Sequence, residues 1–153
     1  MLVASGELQT SPGGPSVDEE SPRRGLYVKT FRNNLETFLH SFDMANGLKS
    51  VAVRDATTTP TQALLLFNGK YGLARAEKLA ERILTVHPNQ PPAQLVEEAC
   101  WWTWGRPPNP DELARSLAYL GMADTTASTS IPRARLVDLC HVLLNSNEFL
   151  YLD

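Results

Sequence analysis

Between Tyr71 and Val86, apolar residues recur at steps of three and four: Leu73, Ala76, Leu79, Ala80, Ile83 and Leu84. Arg75, Lys78, Glu81 and Arg82 fill the intervening positions. This period predicts an amphipathic helix that ends before Pro88. After the linker "HPNQPP", a further helix is expected from Pro92 to Trp104, stopped by Gly105 and the prolines beyond it. Asn109, Pro110, Asp111 and Glu112 read as cap, proline and early acids, opening a helix whose Leu113, Leu117 and Leu120 form one stripe up to Gly121. "MADTTASTSI" is a polar loop of small residues. A last helix starts near Pro132 and turns Leu136, Leu139, Cys140, Leu143 and Leu144 inward, after which "NSNEFLYLD" is expected to fold back and tuck in Phe149 and Tyr151.

The first third of the chain is less regular. Residues 1–21 contain "SPGGPSVDEESP", a mixture with no period for helix or strand. In "RRGLYVKTFRNN", Leu26, Val28 and Thr30 alternate with Tyr27, Lys29 and Phe31, a weak period of two that predicts a short extended segment lying on a core. Leu35, Phe38, Leu39 and Phe42 fall on one side at helical spacing, and "DMANGLKSVAVRDA" reads as loop with a short extended piece at Val51 and Val53. The expected fold is mainly α, an irregular helical bundle of about five to six helices. An irregular or extended arm over 1–34 precedes a helical domain over 35–153.

"ATTTPTQALLLFNG" contains the strongest local signal. Thr59 and Gln62 match the capping box T-x-x-Q: the Thr59 hydroxyl can accept from the backbone N–H three residues on, while the Gln62 side chain reaches back to the Thr59 N–H. Pro60 falls at the first helical position, where a missing donor costs nothing. Ala63 to Phe67 continue the helix, and Asn68-Gly69 predicts a left-handed stop or a sharp bend. Thr59, Gln62 and Asn109 are thus read as helix-capping residues.

Composition narrows the function classes. With 42% hydrophobic and 20% charged residues, the 153-residue chain has the profile of a soluble globular domain. A net charge of −3 gives no field for a phosphate backbone, so nucleic acid is not an expected partner. No apolar run approaches the ~20 residues of a membrane span, and the N-terminus lacks a signal-peptide pattern. Cys100 and Cys140 lack CxxC spacing and define neither a zinc site nor a haem attachment motif, which leaves two buried thiols or, in an exported protein, one disulfide between packed helices. His40, His87 and His141 are scattered, and Asp138 with His141, three apart on a helix, reads as a surface contact. Glu97 and Glu98 read as a solvated helix face rather than a carboxylate pair. No catalytic residues, cofactor site or metal site are visible. "CWWTW" is the unusual feature. Trp101 and Trp104 fall on one helix face with Trp102 about 100° round, an arc too wide to bury in a small bundle. These three indoles are read as core plus an interface with another part of the same protein, with a sugar-stacking platform as the rarer alternative.

"TTTPTQALLLFN", "WGRPPNPDELA" and "LLNSNEFLYLD" together resemble the C-terminal region of a planctomycete family, domain of unknown function fifteen-fifty-three. "SGELQTSPGGPSV", "RRGLYV" and "SFDMAN" resemble its earlier motifs in the same order, so the similarity covers nearly the whole chain. "CWWTW" departs from the modest aliphatic residues that the family tends to have before "GRPP". The resemblance implies a large exported protein, periplasmic or at the cell surface, often with cytochrome-c-like domains, and places Met1 inside the family pattern as in a fragment of a longer polypeptide. No activity is implied. Two readings follow: a non-catalytic helical module that docks onto the upstream part of its polypeptide or onto cytochrome-like domains, or part of an enzyme, with polysaccharide as one substrate class, whose site lies mainly upstream and borrows polar residues such as Gln62, Asn68, Asn145 or Asn147.

Overall fold

The computed structural model describes residues 1–18, 20–31, 41–42, 59–121 and 131–151. Among them are six α-helices, α1 (Pro60–Asn68), α2 (Lys70–Val86), α3 (Pro92–Trp104), α4 (Pro110–Tyr119), α5 (Arg133–Leu144) and α6 (Asn147–Leu150), with one 3-10 turn at Gly25–Tyr27. The fold is mainly helical. Its contacts gather into two compact units: Met1–Glu7 with Gly69–Asp153, and Leu8–Asn68. The first seven residues therefore pack with the helices and not with the rest of the arm expected over 1–34.

In the helical unit, α2 and α5 make the widest contact, and α3 packs on both and on α4. Ala76, Leu79, Ala80 and Ile83 of α2 are fully buried, as are Leu136, Cys140 and Leu144 of α5 and Val96 and Ala99 of α3. Leu117 and Leu120 close the same core, with Leu113 partly buried against it. Leu73 is exposed instead of buried, because it lies at the margin of the stripe centred on Ala76 and Ile83. At the C-terminus Phe149 packs against the core as expected, but Tyr151, in extended backbone beyond α6, is exposed.

The shorter unit departs from the alternation read in "RRGLYVKTF". The backbone forms a 3-10 turn, then a parallel bridge between Val17 and Val28. Leu26 is 84% exposed and Phe31 is exposed too, so neither lies on a core. Arg23 is buried in their place. Its guanidinium donates to the carbonyls of Ser11, Gly13 and Pro15 and stacks 3.8 Å from the Tyr27 ring centre. An irregular loop must have its carbonyls satisfied outside any regular ladder, and one buried cation does so for three of them. The helix expected around Leu35, Phe38 and Leu39 and the extended piece at Val51 and Val53 lie outside the described residues, as does most of the loop after Gly121.

Candidate interaction surface

Helix α3 begins at Pro92 and stops at Gly105, whose φ of 69° is the left-handed conformation that a glycine adopts without a Cβ clash. Its buried face is Leu95, Val96, Ala99 and Cys100. At 100° per residue, Trp101 points away from that face, Trp102 stands on one flank and Trp104 on the other. Trp101 is accordingly 53% exposed and Trp102 37% exposed, while Trp104 is partly buried against the core.

The two flanking indoles are held by different partners. The Arg82 guanidinium of α2 lies 3.4 Å from the Trp102 ring centre, a cation–π contact that covers one ring face. Trp104 donates its indole N–H to the Ser146 hydroxyl at 2.8 Å, and that hydroxyl donates to the Leu143 carbonyl at 2.7 Å. Trp104 also lies 4.9 Å from the Arg106 guanidinium. Arg106 in turn bonds both oxygens of Glu112, at 2.9 and 3.0 Å, and both oxygens of Glu148, at 2.7 Å each. Glu112 is also the third helical residue of α4, where it accepts from the Asn109 N–H at 2.7 Å while the Asn109 side chain accepts from the Glu112 N–H at 2.9 Å. Arg106 and the Asn109 backbone hold the Glu112 carboxyl down at about 2. The end of α3, the start of α4 and α6 are thereby tied around one guanidinium. The sequence reading missed Arg106 and Glu148, which lie 42 positions apart; a charged residue inside "WGRPPNPDE" and another in "SNEF" were the available signals.

At the start of α1, the Gln62 N–H donates to the Thr59 hydroxyl at 3.3 Å and the Thr59 N–H donates to the Gln62 carbonyl oxygen at 3.2 Å. The Gln62 amide nitrogen donates to the Ser41 carbonyl at 2.9 Å. Gly69 separates the two helices by a bend in extended backbone, φ −77° and ψ 147°, the second of the two conformations expected there. Asn145 donates to the His141 carbonyl. Gln62 and Asn145 thus hold local backbone.

Cys100 and Cys140 are free, buried thiols. Burial pushes Cys100 up to about 11 and Cys140 up to about 12, so both stay protonated and weakly nucleophilic at neutral pH. Asp138 accepts from the Tyr119 hydroxyl at 3.3 Å, and Glu98 pairs with His87 at 3.3 Å, joining the end of α2 to α3. Glu97 is exposed, as read. Among the described residues no group of three or more His, Cys, Asp or Glu side chains is arranged to hold a metal ion, and no helix is long and apolar enough to cross a membrane.

Neither a curated protein nor a solved structure matches the chain. A family model does, over residues 1–120, a span that takes in the arm, the first four helices and the indoles but leaves out "LLNSNEFLYLD". With most of its length so matched, the chain belongs to the family described as PSD1, protein of unknown function (DUF1553).

Proposed function

We propose that this chain is a non-catalytic helical module of a larger exported protein, and that it acts by docking another part of the same polypeptide against the aromatic side of α3. The observation that carries this reading is Trp101, 53% exposed on a helix whose other side is buried in the core. A large aromatic held in place by a rigid helix loses little freedom on binding, which is why indoles are frequent anchors at interfaces. In the same proposal the cytochrome-like domains of the longer protein are the redox partners that the docked module helps to place. The enzyme reading draws no support from Gln62 or Asn145, since both hold backbone of their own surroundings.

Replacing Trp101 by Gln tests the proposal. Self-association of the chain, followed by sedimentation velocity over rising concentration, should fall. In the longer polypeptide the same change should increase protease cleavage within this region. Shielding of all three indoles from acrylamide in a monomeric chain would remove the docking surface, and saturable protection by a glycan would favour the sugar platform. Extending the reading frame upstream of Met1 tests the setting: a signal peptide with CxxCH motifs supports the exported redox assembly, whereas a carboxylate-lined domain supports the enzyme.

A further inference from the structure

Met1–Glu7 is joined to α2 at two points on one side of that helix. Arg75 and Arg82 are seven residues apart, two turns along the same face. The Arg75 Nε pairs with the Glu7 carboxylate at 2.7 Å, with both side chains largely buried. Glu7 also accepts from the Ser5 hydroxyl at 2.7 Å. One turn pair further on, the Arg82 guanidinium donates to the carbonyls of Val3 at 3.1 Å and Ala4 at 3.0 Å. Gly6, at φ 77°, lies so close to Arg82 that an added Cβ would stand 3.1 Å from its Cδ. Three backbone bonds close the segment on itself, from the N–H groups of Ser5, Gly6 and Glu7 to the carbonyls of Met1, Val3 and Leu2. Ala4 is part of the hydrophobic core. The same Arg82 that grips this segment covers Trp102.

We infer that Met1–Glu7 is a strap that folds with α2 and, by fixing Arg82 between its carbonyls and the Trp102 ring, sets how much of that indole is open to solvent. The helical unit is then discontinuous in sequence, with Leu8–Asn68 carried between its two parts. This inference is independent of the docking proposal: it concerns what covers Trp102, not what binds Trp101. Arg82 has rotamer freedom that the strap carbonyls remove, since a guanidinium whose Nη1 donates to two carbonyls while its plane stacks on a ring has few orientations left. Loss of the strap releases that constraint and uncovers the ring face.

Native-state hydrogen exchange on the full chain tests the strap. The amides of Ser5, Gly6 and Glu7 should exchange through the same opening as those of Leu79 and Ile83 in α2, with the same dependence on urea. Exchange in step with Gln9 and Val17, or ahead of both units, overturns the inference. Glu7→Gln tests the coupling, because Glu7 ties the strap to Arg75 and to its own Ser5, whereas Trp102 is covered by Arg82. Strap amides should exchange about tenfold faster, the loss expected when the Arg75 ion pair goes and the Ser5 hydroxyl loses its charged acceptor. The Trp102 indole resonance should shift with them and become more accessible to acrylamide. Arg82→Lys, which keeps the charge but not the planar group stacked on the ring, should move the same indole with no change at Trp104. Faster strap exchange with an unmoved Trp102 resonance overturns the coupling, and the exchange pattern of the unsubstituted chain decides the strap itself should either variant fail to fold.

Discussion

Glu112 accepts from three different donors at the head of α4, two guanidinium nitrogens of Arg106 and the Asn109 N–H. Its carboxyl titrates at about 2 against an ordinary value of 4.5. Because the folded value is the lower one, this group stabilises the fold fully above pH 4.5, and that contribution is lost as the pH falls from about 4.5 to about 2. Thermal midpoints followed through this window should therefore fall more steeply for the unaltered chain than for Glu112→Gln, and the two curves should converge near the acid end. Parallel curves would mean that the Arg106 network does not hold in solution. The sequence made half of this cluster legible. Asn109 and Glu112 are three apart, a distance at which capping follows from local geometry. Glu148 reaches Arg106 only because α6 folds back, and no period or spacing encodes that return. Arg23 is the sharper lesson: a charged residue is buried, while Leu26, three positions on, is open to solvent. Backbone demand for donors in an irregular loop outweighed hydropathy there.

At the scale of single elements, the helix limits from Thr59 onward were legible because each start and stop is written in adjacent residues. Helix α3 runs over the residues expected for it, between Pro92 and Trp104, and α2 over one residue more. The Gly69 conformation was not legible, since a glycine can end one helix by a left-handed turn or begin the next from extended backbone. Thr59→Ala should destabilise the Leu8–Asn68 unit by about 1 kcal/mol through loss of the cap, readable as a shift in urea midpoint at unchanged slope. Activity of the longer protein should be unchanged wherever the variant stays folded, and a severe loss at full stability would move this segment to a functional site. Leu136→Ala attacks a different element. Its side chain is fully buried where α5 meets the core, so the cost should be about 2–5 kcal/mol, with the spread set by how far the neighbours collapse into the space. A cost well below 1 kcal/mol would show that α5 is not packed on α2 as described.

For the whole molecule, the two thiols report on whether the helical unit opens as one body. Cys100 comes from α3 and Cys140 from α5, and both belong to the single core that α2, α4 and Ala4 complete. Sequence could place each thiol on the inner face of its helix, but it left open whether they were free or joined; that depends on how two helices forty positions apart meet. Protonated and enclosed, neither should react with a thiol reagent in the native state, and both should react once the unit unfolds. Since one core holds them, their labelling rates should rise together with urea and with equal slopes. Cys100→Ser and Cys140→Ser, each leaving a single thiol, separate the two rates. A Cys100 that reacts early while Cys140 stays protected would mean that α3 peels away with its indoles before α2 and α5 part, and the Trp101 surface would then belong to a loosely held helix. Equal slopes place α3 within the cooperative core, which is the rigidity that an anchoring indole requires.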